Sequence, residues 1–468
     1  MEMENRRSYR AHILLIPYPS LSHINPLLQF SNRLASKGIK ATLATTIFIS
    51  NTMNLKSSSS SSSVHFETIS DGFDEGGSKQ SPDTTTYLRR LEVVGSKTLA
   101  ELIERHEYSM HPIDCIVYDL CMPWVVDVAK EFGILGAAFA TQPCTVNFLY
   151  YCLHRGLLKY PFSSNQLSIP GLSFLELNDM PCFHFVGRLR LEVLEVLMKQ
   201  FSNVEKADFL LVNTVYGFEK EVVDSMSKLV TNLLTVGPTI PSIFLDKRIK
   251  DDNEYGVNPI TTTISSSSAI CSDWLNKKPA GSVVYVSFGS TPYLKSKQME
   301  ELALGLKNTN FHFLWSVSAS EHSKLPTKFL EEISDNKSGL IVKWSPQLEV
   351  LSNEAVGCFV THCGWNSTIE ALSLGVPMVA MPQWTDQTTN AKLIEDLWKV
   401  GVRVGVDEDG IAMRDEIEFS IREVMEGKRG RQIKLNANKW RNMAIEAISQ
   451  GGTSDNNIDE FLSKLTCF

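Results

Sequence analysis

Hydrophobic positions in this chain fall into short continuous runs and into stripes of helical spacing. Residues 11–16 are apolar except for His12, and a Pro/Ser loop follows them. Ile24, Leu27, Leu28, Ser31 and Leu34 then mark one mostly apolar helix face. The pattern predicts a strand, a helix over 24–37 stopped by Gly38, and a second strand over 40–45. The same succession returns as a strand over 283–288, a loop over 289–294, a helix over 296–306 and a strand over 311–317. Each is a βαβ unit, and two such starts predict two doubly wound α/β domains. Further strands are expected at 340–343, 357–361 and 378–381, with a helix over 366–374 closed by Gly375. Beyond Ile411 the chain reads as helical to its end. Gly451-Gly452 interrupts it before a last helix near 456–464. Residues 246–269, charged at first and then rich in Thr and Ser, read as a linker. The serine run at 57–63 reads as a separate surface loop. The expected partition is 1–245, a linker at 246–269, 270–450, and a final helical segment at 451–468.

Composition narrows the class. The chain has 468 residues, 43% hydrophobic and 21% charged. That is ordinary globular usage, so wholesale disorder and a disulfide-stapled miniprotein are excluded. The net charge of −8 weighs against a nucleic-acid partner. None of the nine cysteines forms a C-x-x-C pair, and nearly all lie in apolar runs. They are expected as free buried thiols in a reducing compartment, which points to the cytoplasm. The apolar stretch at 13–16 is too short for a signal-peptide core, and no segment is apolar for long enough to span a membrane. The P-loop, the G-x-G-x-x-G fingerprint and the G-x-S-x-G elbow are all missing. Asp407-Glu-Asp409, followed by Gly410, reads as a solvated turn rather than a metal site.

Four stretches could carry chemistry. His362-Cys-Gly-Trp-Asn-Ser-Thr-Ile-Glu370 is a strand-to-helix junction. Free N–H groups at such a helix start, with the helix dipole, can hold an anion without any lysine. The plainer alternative is N-capping by Asn366 or Ser367. Trp344-Ser-Pro-Gln347 follows a strand, where an indole can stack on a base and an amide can meet a ribose hydroxyl. Trp384-Thr-Asp-Gln387 puts a carboxylate and an amide at another strand end, suited to sugar hydroxyls or to a simple turn. His23 follows the first strand, just before the predicted helix. With Asp119, at a further strand end, it has the makings of a general base and its orienting carboxylate.

Taken together, these stretches resemble the donor-binding signature of plant family-1 UDP-glycosyltransferases. The signature runs from Trp344 through WSPQ and THCGWNSTIEALSLGVPMVAMPQWTDQ to Gln387. The likeness extends over nearly the whole chain, including His23 in HINP, Asp119 in VYD, and VYVSFGS at 284–290. It implies a glycosyltransferase fold of the B type: two Rossmann-like domains facing across a cleft, the first taking the acceptor and the second the UDP-sugar. The final helix would return to the first domain. By the resemblance, Trp344 stacks on uracil within the WSPQ motif that also contains Ser345. Gln347 and Glu370 hold the ribose, and His362, Asn366, Ser367 and Ser290 hold the diphosphate. Trp365, Asp386 and Gln387 contact the sugar, with Thr141 reaching it from the first domain. Gln387 looks like a glucose-donor residue. His23 and Asp119 are the implied catalytic pair of an inverting transfer that needs no metal and no cofactor beyond the donor. The implied acceptor is a small hydrophobic plant metabolite such as a terpenoid, flavonoid or phenolic acid. Phe148 and Tyr151 are offered as its pocket wall, or else as the core of a buried helix. A monomer is expected. The alternatives are another UDP-sugar donor, or a protein that binds the UDP-sugar without turnover. Two departures stand out. Leu21-Ser22 replaces the family's usual Gln-Gly before the base, and Asn353 stands where His is common.

Overall fold

The computed structural model describes residues 9–53, 63–163, 169–185, 188–250, 252, 263–289, 294–336 and 338–465. The first half forms a parallel sheet from β1 (His12–Ile16), β2 (Lys40–Thr46), β3 (Val64–Ile69), β4 (Cys115–Asp119), β5 (Leu135–Ala140), β8 (Phe209–Val212) and β9 (Leu233–Thr235). Its strand order is β3-β2-β1-β4-β5-β8-β9. A small antiparallel pair, β6 (His184–Phe185) and β7 (Arg188–Leu189), lies outside it. The second half forms a parallel sheet from β10 (Val283–Ser287), β11 (His312–Ser316), β12 (Gly339–Val342), β13 (Val356–Thr361), β14 (Met378–Ala380) and β15 (Gly401–Arg403), in the order β12-β11-β10-β13-β14-β15. The α/β class and the two doubly wound sheets are as the sequence led one to expect.

Both faces of each sheet are covered, which is why the strands are apolar runs rather than alternating ones. In β1, Leu14 and Ile16 face one core, with Ile116, Tyr118, Phe148 and Tyr150. Ile13 and Leu15 face the other, with Leu27, Phe30 and Leu34 of the Leu21–Ser36 helix and Phe461 and Leu462 of the Thr453–Leu465 helix. That last helix follows the second sheet in sequence but packs on the first.

In each sheet the strand order reverses between two neighbours, β1/β4 and β10/β13. Ligands of open α/β sheets bind at the carboxyl ends of strands at this reversal. His23 follows β1 and Asp119 ends β4. Gly289 follows β10 and His362 follows β13.

Two sequence expectations change. The first helix begins at Leu21, with Ser20 extended at its N-cap. His23 therefore lies inside the first turn, not before the helix. The stretch expected as a linker is helical from Thr263, in a helix running to Leu275. Its opening is fastened to the first helix: Arg33 pairs with Asp246 at 3.0 Å and Asn32 donates to Asp252 at 3.0 Å. Among the described residues, no helix is long and apolar enough to cross a membrane. The eight described cysteines are free.

Candidate active site

The short loop after β1 leads directly into the Leu21–Ser36 helix, so His23 is presented at the sheet edge. Its Nδ1 lies 2.7 Å from Asp119 Oδ2. Asp119, with 1% of its side chain exposed, also accepts the Cys121 N–H through Oδ1 at 2.9 Å. Thr141 Oγ1 is 3.4 Å from the same imidazole nitrogen, and Tyr18 meets the ring edge-on. Burial works to lower the His23 pKa, but the charge and hydrogen bond of Asp119, with the charge of Asp386, outweigh it and raise it above 6.5. With Nδ1 turned to Asp119, Nε2 is left as the basic nitrogen.

Asp386 comes from the second half, yet its charge is felt at His23. It is buried, and desolvation raises its pKa against the pull of Thr385 Oγ1 and Asn390 Nδ2, each donating at 2.8 Å. Gln387 opens the Gln387–Lys392 helix, and its Oε1 accepts the N–H groups of Gln383 and Trp384.

The Trp365–Leu374 helix has Gly364 at its N-cap and no side chain capping it. Capping by Asn366 or Ser367 is thus not what these residues do, and the N–H groups of the first turn are left for an anion. His362 lies against this turn. Its ring packs so closely that a Cβ on Gly289 would come within 3.0 Å of it, and one on Gly364 within 2.5 Å. Burial lowers its pKa to about 4, so it is neutral near pH 7, and its Nδ1 is buried without a partner among the described residues.

Asn366 does something the sequence did not suggest. Its Nδ2 donates to the Ser22 carbonyl at 2.8 Å. That carbonyl would normally receive the N–H four residues on, but Pro26 has none. The proline inside the first helix frees an acceptor, and the second half fills it. Leu21-Ser22, the departure before the base, thereby contributes a backbone contact. The Trp365 indole is engaged elsewhere. It is 4% exposed and donates to Asn213 O at 2.8 Å, so only its backbone remains for a ligand in the cleft.

Trp344 is 38% exposed after β12. Beneath it, Tyr285 of β10 links Ser345 at 2.9 Å with Gln347 Oε1 at 3.2 Å. Gln347 Nε2 donates to Glu370 at 2.7 Å and Ser367 at 2.9 Å. The Gln347 amide is therefore spent inside this network, and Tyr285 is a member that nothing in its apolar run signalled. Ser290 lies outside the described residues.

Phe148 and Tyr151 are core residues, 1% and 7% exposed. Tyr151 packs edge-on against Phe201. They are packed into the buried helix Cys144–His154, in keeping with the alternative of a buried helix core. Closer to the dyad are polar atoms that sequence reading missed. Gln200 Oε1 lies 3.7 Å from Cys121 Sγ. Gln200 Nε2, Gln142 Oε1 and Tyr150 OH are buried without protein partners among the described residues. His23, Asp119 and Cys121 bring ligand-type atoms within 4.8 Å of one another. The His and Asp atoms already pair with each other, as a base and its orienter do.

Residues 261–437 match the family model described as "UDP-glucoronosyl and UDP-glucosyl transferase". The chain is 50% identical to the flavonol 7-O-beta-glucosyltransferase UGT74F1 of Arabidopsis thaliana, over 97% of this chain and 98% of that protein. It is 44% identical to mogroside I-E synthase of Siraitia grosvenorii, over 97% and 98%. The crystal structure of Os79 from O. sativa in complex with UDP matches with a TM-score of 0.88 at 39% identity, covering 97% of this chain and 100% of that one. With its two facing sheets and its His–Asp pair opposite an uncapped helix, the chain belongs to the plant family-1 UDP-glycosyltransferases, enzymes of the hexosyltransferase class.

Proposed function

We propose that the protein transfers glucose from UDP-glucose, with inversion, to a hydroxyl or carboxyl group of a small hydrophobic plant metabolite: a terpenoid, flavonoid or phenolic acid. The product is a β-glucoside or a glucose ester. The observation that carries this reading is the 2.7 Å His23–Asp119 pair, set at the same cleft as the free N-terminus of the Trp365–Leu374 helix. The UDP-glucosyl relatives support the donor assignment.

In this reading the first half takes the acceptor and the second half the donor. Uracil stacks on Trp344, and Glu370 receives the ribose hydroxyls, steadied by Gln347. The first-turn N–H groups with Ser367, Ser290 and His362 meet the diphosphate, and Asp386, Gln387 and Thr141 meet the glucose. His23 Nε2 removes the acceptor proton as the oxygen attacks the anomeric carbon from the side opposite the leaving UDP. Asp119 fixes the tautomer and stabilises the imidazolium that forms. Charge growing on the diphosphate is met by the helix start, so the residues themselves supply the electrostatic role a metal would fill.

The test is His23→Ala assayed with a hydroxyl acceptor and with a carboxylic acid acceptor. Loss of a general base should slow hydroxyl transfer about 10²–10⁴-fold. The carboxylate is already ionised near pH 7 and should lose far less. Undiminished transfer to the hydroxyl acceptor would sink the assignment.

A further inference from the structure

The loop that presents Asp386 and Gln387 is not held by its own half alone. Thr385, immediately before Asp386, has φ +52°, a left-handed conformation unfavourable for a β-branched residue. A two-way backbone bridge keeps it there. The Cys182 N–H donates to Thr385 O at 3.0 Å, and the Thr385 N–H donates back to Cys182 O. Thr388 Oγ1 donates to Met180 O at 2.8 Å and Thr389 Oγ1 to Asp179 O at 2.7 Å. The Asp179 carboxylate, on a residue 5% exposed, pairs with Lys392 at 3.2 Å and Arg403 at 3.3 Å. Residues 179–182 belong to the first half, since Met180 and Phe183 are buried in its core. The Gln387–Lys392 helix is thus fastened at both ends from across the cleft. Thr388 and Thr389 are Thr side chains in a helix, where the hydroxyl usually bonds back within its own turn. Here Thr389 reaches across instead, and Thr388 shares its hydroxyl between Met180 O across the cleft and Thr385 O of its own turn at 3.2 Å.

We propose that residues 179–182 are positioning residues for the donor sugar, fixing Asp386 and Gln387 so that sugar recognition is assembled by both halves. This rests on the reading of Asp386 and Gln387 as sugar ligands. The UDP portion, by contrast, is assigned in the same reading to Trp344 and to Glu370 and Ser367, whose described hydrogen bonds run to Gln347. Weakening the latch should therefore affect UDP-glucose and spare UDP.

The experiment compares Thr388→Val/Thr389→Val, which keeps shape and removes both hydroxyls, with Thr388→Ser/Thr389→Ser, which keeps them. The Val pair is expected to raise KM for UDP-glucose about tenfold while the inhibition constant of UDP stays within about twofold. The Ser pair should stay near the parent enzyme in both. If KM and the UDP constant rise together, or KM does not move, the proposal fails. Should the Val pair not fold, Asp179→Asn removes the two ion pairs and leaves its backbone carbonyl, and the same split is required of it. Asp386→Asn separates the two readings. If it leaves UDP-glucose kinetics unchanged, the sugar-ligand reading is wrong. If it impairs them while the Val pair does not, the latch alone is wrong.

Discussion

At the scale of the residue, the decisive contact joins positions 96 apart in sequence, His23 and Asp119. The strand ends that carry them could be read from the apolar runs, and the two residue types suggested a base and its orienter. The pairing expected of them is made by the parallel register that sets β1 beside β4. The raised His23 pKa has a kinetic consequence. The base must be unprotonated to act, so kcat/KM with a hydroxyl acceptor should fall on the acid side with a midpoint above 6.5. Asp119→Asn removes the charge that outweighs burial, so the midpoint should move down while the rate falls by roughly 10²–10⁴-fold. A pH–rate profile of both enzymes checks this, and a midpoint that does not move would contradict it.

At the scale of the element, the Leu21–Ser36 helix shows how one segment serves both catalysis and assembly. Its first turn carries His23. Pro26 exposes the Ser22 carbonyl to Asn366, and Arg33 and Lys37 near its end hold Asp246, Asp455 and Asp459. Its apolar stripe was legible. Its true start was not, because Leu21-Ser22-His23 carries no periodic signal. The Thr263–Leu275 helix was missed because its Thr/Ser run has weak helix propensity. Packing holds it, with Cys271 and Leu275 each 1% exposed. The returning Thr453–Leu465 helix is expected to contribute stability through Phe461. That side chain is fully buried and meets Phe209 edge-on at 5.2 Å. Phe461→Ala should cost about 3–5 kcal/mol, read as a lowered urea midpoint. A midpoint within error of the parent would mean this helix docks without adding to the core.

At the scale of the molecule, acid is the expected weak point. His12 is buried in β1, bonded to the His111 carbonyl and Thr42 Oγ1, each at 2.8 Å. Burial, chiefly, lowers its pKa to about 4, from an ordinary value of 6.5. Between those values the unfolded chain binds a proton that the folded protein refuses, so stability falls as pH drops from 6.5 toward 4. This one group is worth on the order of 3 kcal/mol across that window. Urea unfolding at a series of pH values should show the slope, and His12→Gln should flatten part of it. An unchanged slope would place the acid sensitivity elsewhere, with His362 next to be tested.

The sequence by itself determined the α/β class, the two βαβ starts and the donor signature. Each is written in local runs: apolar strands buried on both faces, a helical stripe, and a strand-to-helix junction with its residues in fixed order. Tertiary structure alone decided which side chains meet and which are already committed. Trp365 turns its indole into the core, Asn366 reaches Ser22, Gln347 is spent on Glu370 and Ser367, and residues 179–182 brace the sugar loop. These contacts join segments far apart in the chain, and none has a periodicity of its own. They exist because two sheets bring their strand ends face to face, and a linear pattern carries no record of what lies across a cleft.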